Sequence, residues 1–189
     1  MDAIQFEMGG ASIALPPDIV ARNLIEHLQR SSKAVAAGRP RPIISEYLTG
    51  EGGVFAGDIR GDDGVTYGLI IAQPEDVGRA AWGPDGSHDL SQWDGLINTA
   101  SLDSEGFPAA RLARAYEADG HVDFYLPARR ELLIAAANVP HLFGKDSWYW
   151  TSTPYGSRHA WAVDFENGRV RVGRRTSEFR VRPFRRLIY

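Results

Sequence analysis

The chain has no cysteine among its 189 residues. That excludes disulfides, thiolate-held metals and a cysteine nucleophile, so packing alone must hold the fold. No stretch approaches the roughly 20 consecutive apolar residues that a membrane-spanning helix needs, and the N-terminus lacks a basic segment followed by an apolar run. A chain of this kind is expected to be made and folded in a reducing cytoplasm. The five histidines show neither an HExxH motif nor a short paired spacing, so a catalytic zinc is not expected, and no other metal or cofactor is implied. A large excess of one charge is also missing, since the net charge is −3. The charge is uneven, however. From Asp164 to Tyr189 eight arginines stand against three acids, giving +5, which leaves −8 for the rest of the chain. A basic end on an acidic body can steer an anionic partner, although arginines on the solvated faces of strands give the same count.

What is present is turn-forming residues. Glycine and proline together make 31 residues, which favours short strands and many turns over a helix bundle. The length suits one large domain, or a domain with an added arm. Residues 16 to 38 (PPDIVARNLIEHLQRSSKAVAAG) begin with Pro, end with Gly and space Val20, Leu24 and Leu28 by four with Ile25 alongside, predicting one amphipathic helix. The prolines of RPRP at 39 to 42 then deny further helix. Residues 1–44 therefore read as an arm ahead of a domain at 45–189. Its apolar stripe suits either assembly with other subunits or packing on its own domain.

Within the domain, GGVFAGDIRGDDGVTYGLIIAQP predicts a hairpin turning at residues 61 to 64, with Asp62 and Asp63 as turn formers and not a metal pair. Residues 82 to 98 read as a long polar loop in which Trp82 and Trp93 act as pins. Its Asp85, Ser87 and Asp89 alternate like the start of a calcium loop, but Leu90 occupies the place of the required Gly. Helices are expected from about Pro108 to Ala118, with Leu112, Ala115 and Tyr116 on one side, and from Pro127 through Leu132, Leu133 and Ala136. The remainder alternates as strands do. In AWAVDFENGRVRV the Asn167-Gly168 pair predicts a two-residue turn, placing Glu166 opposite Arg169, Phe165 opposite Val170, Asp164 opposite Arg171 and Val163 opposite Val172. On this register Trp161 belongs to the core, and a one-residue insertion between Asn167 and Gly168 is expected to unfold the domain.

Five stretches in fixed order, DGLINTASL, YLPARREL, WYWTST, AWAVDFENGRV and VRPFR, resemble the Lcl C-terminal domain family, a C-type-lectin-like group of bacterial surface, phage and prophage proteins. With the hairpin at 52 to 74 the resemblance covers about residues 45 to 189. It implies an α+β C-type-lectin-like fold with twisted antiparallel strands and two packed helices, and binding as the usual role instead of catalysis. Ala128 departs from the pattern by replacing a hydroxyl residue after the Leu-Pro, which weakens one helix cap. The Gln-Pro-Glu-Asp at 73 to 76 does not match a sugar-binding calcium triplet. The related formylglycine-generating oxidases need cysteines, which this chain lacks.

The expectation is thus a non-enzymatic virion component of a phage or prophage. The arm, through Val20, Leu24, Ile25 and Leu28, would attach to other virion proteins or to further copies, a trimer being the analogy from phage adhesins. Trp148, Tyr149, Tyr155, Arg158 and His159 are the candidate contact residues for a host-surface glycan or protein, on a polar, aromatic loop joining strands. Trp150 is assigned to the core. Alternatives are a carbohydrate-acting hydrolase, for which Ser152, His159 and Asp164 could be drawn as a triad without a nucleophile elbow, and an intracellular prophage protein binding another protein or nucleic acid. The pI near 5.9 argues against nucleic acid.

Overall fold

A computed structural model describes residues 4–8, 11–15 and 41–189, apart from 103 and 105. The proposed arm helix with Val20, Leu24, Ile25 and Leu28 lies outside the described residues. Two strands, β1 (Ile4–Met8) and β2 (Ala11–Leu15), pair antiparallel with Met8 opposite Ala11. They were not expected, although Gly9-Gly10 between two apolar-rich stretches is a hairpin signal. The larger compact unit spans Pro42–Ile188.

That unit is mixed α+β, mostly strands with three helices and curled, largely antiparallel sheets. One sheet has four strands: β3 (Tyr47–Leu48), β4 (Gly53–Arg60), β5 (Thr66–Ala72) and β11 (Phe184–Leu187), in the order β11-β5-β4-β3. The hairpin expected within 52 to 74 is there, and Asp63 makes its turn by accepting the Val65 N–H at 2.9 Å. The second sheet has five strands: β6 (Arg79–Ala81), β7 (Trp148–Tyr155), β8 (His159–Asp164), β9 (Val170–Arg174) and β10 (Glu178–Arg180), ordered β6-β10-β7-β8-β9. The helices are α1 (Gly95–Ser101), α2 (Pro108–Arg114) and α3 (Arg129–Asn138).

The core has two main parts, one on each side of the five-stranded sheet. Tyr149, Val163 and Phe165 pack with Leu132 and Ala135 of α3 and with Val54, Leu69 and Ile71 of the other sheet. On the opposite side Trp150, Ala160 and Ala162 pack with Trp82, Phe107 and the alanines of α2. Trp82 is a pin as expected, donating to the Thr151 carbonyl at 2.8 Å, whereas Trp93 remains partly exposed.

Several sequence expectations need correction. The polar loop at 82 to 98 ends in α1, because Asp94 caps the Ile97 N–H at 2.8 Å and Asn98 and Thr99 turn inward to make buried bonds. Helix α2 ends at Arg114 and buries Ala109, Ala110 and Ala113, not Leu112, Ala115 and Tyr116; the small side chains let it lie close to the sheet. Pro127 precedes α3, whose first turn lacks a hydroxyl cap. Glu131 compensates for Ala128 by accepting its N–H at 2.7 Å, half of a capping box.

The largest correction concerns the β8–β9 register. Val163 faces Val170, Ala162 faces Arg171 and Trp161 faces Val172, two residues away from the expected pairing. The connection takes in Phe165 to Gly168 because Phe165 leaves the ladder. Its ring enters the core and stacks on Phe143 at 3.7 Å with planes 3° apart. In the expected register that ring would lie beside Val170, which is exposed. Burying a phenylalanine is worth about 1.5–3 kcal/mol, enough to outweigh the strand bonds of a tighter turn. Neither predicted acid-base pair forms: Asp164 accepts the Glu166 N–H at 2.9 Å, and Arg171 lies over Trp148 at 4.8 Å.

The insertion expectation changes with the register. Asn167 and Gly168 are exposed, and Phe165 anchors the loop on one side. One residue inserted between Asn167 and Gly168 should shift Tm by no more than a few degrees in a thermal melt, whereas Phe165→Ala should cost about 3–5 kcal/mol.

Candidate functional site

Strand pleating decides which side chains meet at the surface. On β8, His159, Trp161 and Val163 share one face. Helix α3 covers that face at Val163 and leaves it open toward the β7–β8 turn. There Tyr155, opposite His159 in the ladder, meets Trp161 edge-on with ring centroids 5.0 Å apart. The Arg129 guanidinium lies 4.5 Å from the Trp161 ring centre on the same surface. Its Nη2 also donates to the Gln92 side-chain carbonyl. Gln92 in turn accepts the Arg130 N–H at 2.9 Å, and Arg130 lies 4.8 Å over the neighbouring Trp93. Tyr155, Trp161, Arg129, Gln92, Arg130 and Trp93 thus form a continuous ridge with a ring at each end and two guanidiniums, joined by Gln92, between Trp161 and Trp93.

The electrostatics of the ridge are unusual. Two arginines occupy the first turn of α3, where the helix dipole favours acids. Burial draws the Arg129 pKa below the usual guanidinium range, and the Arg130 charge acts in the same direction. The Arg129 Nε is shielded from solvent and donates to no group. Together the rings and cations offer a half-apolar surface with N–H donors, suited to ring contacts and to hydrogen bonding an acceptor-rich ligand.

The sequence-predicted contact residues fall in different places. Tyr155 is 51% exposed and belongs to the ridge. Arg158 is exposed in the turn at 156 to 158, and His159 is half-buried beside Tyr155. Trp148 sits on the other face of the sheet, half-buried under Arg171. Tyr149 is not a contact residue. It is fully buried, packed edge-on against Phe143 and Phe165, with its hydroxyl accepting the Gly144 N–H at 2.8 Å. Trp150 is core, as assigned. The expected loop is also shorter than anticipated, because β7 continues to Tyr155 and buries Thr151, Ser152 and Thr153.

Trp161, Arg129 and Arg130 were missed by sequence reasoning. The clue for the arginines was two cations at a helix start; Trp161 was assigned to the core because it shares the face of Val163, and only the extent of the helix cover leaves it half-exposed. Ser152, His159 and Asp164 do not converge. Ser152 is buried and accepts from Asn98 at 3.0 Å, while His159 and Asp164 stand at opposite ends of β8, about 16 Å apart at strand spacing. Two surface clefts lie elsewhere, one of about 340 Å³ beside His141 and Phe165 and one of about 260 Å³ between Leu96 and Val122.

No protein-family model matches the chain, and no curated protein matches it.

Proposed function

We propose that the protein is a non-enzymatic binding component of a phage or prophage particle, whose C-type-lectin-like domain presents the Tyr155–Trp161–Arg129 ridge to a host-surface glycan or protein. Support comes from the ordered resemblance of five sequence stretches and from the mixed α+β architecture on which they fall. The observation that carries the reading is the stack itself, in which a tryptophan, a tyrosine and an arginine are held at the surface. Such residues dominate binding energy at recognition surfaces because they supply large, stiff contact area at small entropic cost. In this reading the N-terminal arm joins the domain to other virion proteins or to further copies of the chain.

The test uses the full chain on an array of bacterial surface polysaccharides and on intact bacterial cells. Trp161→Ala should lower binding about tenfold or more while leaving the far-UV spectrum unchanged, and Tyr155→Ala should act in the same direction. Equal binding by the wild type and both folded variants would retire the ridge as the contact surface. Turnover of any arrayed glycan would favour a hydrolase instead.

A further inference from the structure

Strand β9 ends the order of the five-stranded sheet and has no neighbour on its outer side among the described residues. The ladder shows which of its backbone groups face outward. Asp164 donates to the Arg169 carbonyl at 2.9 Å and Arg175 donates to the Arg158 carbonyl at 3.1 Å, so the pairs 164/169 and 158/175 are hydrogen-bonded. Alternation then points the N–H and C=O of Arg171 and Gly173 toward β8, and those of Val170, Val172 and Arg174 away from it. Of the outward groups, the Arg174 carbonyl accepts from Ser177 in the following turn, and the Val172 carbonyl has a 3.5 Å contact with Arg171 Nε. The Val170 N–H and C=O and the N–H groups of Val172 and Arg174 have no backbone partner among the described residues.

Side chains along this edge have one sign. Arg169, Arg171 and Arg174 are exposed, as is Arg158 at the adjoining turn, and among the described residues none of the four forms an ion pair. Between them lie Val170, 39% exposed, and the half-buried Val172. A second copy pairing through the same strand would bring arginines against arginines, which disfavours homotypic addition. An extended chain with acids near Arg169 and Arg171, which share one face of the strand, and apolar residues beside Val170 and Val172 on the other meets both the charge and the open ladder. We propose that β9 is a strand-addition site for an extended acidic segment of a partner protein, which would use the outer backbone edge of the strand and not the ring surface of Trp161 on the adjoining strand.

The probe is a short, end-capped, dye-labelled peptide alternating glutamate with threonine or valine, titrated into the full chain by fluorescence anisotropy beside its lysine counterpart. The acidic peptide should bind and the lysine peptide should not. Amide shifts in a nitrogen-15 spectrum should centre on Val170, Val172 and Arg174. Val172→Pro removes one outward N–H at a position where an edge strand tolerates proline, and should weaken binding about tenfold. The double variant Arg169→Glu/Arg171→Glu, which leaves the ladder intact and changes the one face that the alternating acids meet, should reverse the preference toward the lysine peptide. Absence of binding by the acidic peptide overturns the proposal. So does binding that the double variant leaves unchanged, or binding whose amide shifts spare β9.

Discussion

Glu131→Ala should destabilise the domain by about 4 kcal/mol or more, read as the fall in urea midpoint. Glu131 is completely buried, and its carboxylate gathers four donors from four parts of the chain. Oε1 accepts from the hydroxyls of Tyr67 and Tyr125, both at 2.9 Å. Oε2 accepts from the Ala128 N–H at 2.7 Å and the Gly95 N–H at 3.0 Å. Removing the acceptor strands two backbone N–H groups and one or more hydroxyls in the interior, each costing about 1–3 kcal/mol. The nearest cation is Arg186, whose Nη2 lies 3.8 Å from Glu131 and 2.6 Å from Asp94.

Glu131→Gln should cost markedly less, because the amide oxygen can still serve the two N–H groups while its nitrogen donates to the tyrosine hydroxyls. Burial pushes the Glu131 pKa up to about 7 from an ordinary 4.5, against the opposing pull of the Ala128 N–H and Arg186. The folded state therefore holds this proton more tightly than the unfolded chain does. The associated stability is fully present below about pH 4.5 and is lost as pH rises through about 7. Urea midpoints measured from pH 5 to 8 should decline for the wild type through this range, and the Gln variant should lack that component of the slope. An unchanged slope in the variant would assign the pH dependence to other groups.

Glu131 also marks the limit of what could be read from the residues alone. In ARREL it resembles any first-turn acid of an amphipathic helix, and only the return of β5, α1 and β11 to the same point makes it a buried centre. Local signals were legible where one short segment decides the structure. The 61-to-64 turn, the proline that opens α2 and the strand character from Trp148 onward all depend on neighbours in sequence. The β8–β9 register did not, since Asn167-Gly168 favours a two-residue turn locally and Phe143, more than twenty residues upstream, draws Phe165 out of it. The ridge was half legible: Tyr155 followed from its place in a polar, aromatic segment joining strands, but Arg129 reaches Trp161 only through tertiary packing.

The same distinction governs Arg175, which sequence reasoning counted with the solvated arginines. It is fully buried and lies 4.4 Å over Trp82. Its charge is met by carbonyls: Nη1 donates to Pro84 at 2.9 Å, Nη2 to Gly156 at 2.9 Å and Nε to His159 at 3.3 Å. Burial lowers its pKa, with Asp85 opposing. Two of those carbonyls bracket the β7–β8 turn that carries Arg158, so Arg175 ties the tip of the candidate site to the 84-to-86 segment. Arg175→Met keeps the stem against Trp82 and relieves the cost of burying a charge, which offsets part of the loss. The net destabilisation should be about 2–3 kcal/mol, lowering Tm by roughly 4–12 °C for a domain of this size. Arg175→Lys should not restore the wild-type value, because one ammonium cannot span three carbonyls set in a fork. Hydrogen exchange locates the effect. In Arg175→Met the amides from Tyr155 to His159 should exchange much faster, while those of β4 and β5 change only as far as global stability falls. If protection at the tip survives, the turn is held by the strand ladder alone, and the ridge does not depend on this clamp for its shape.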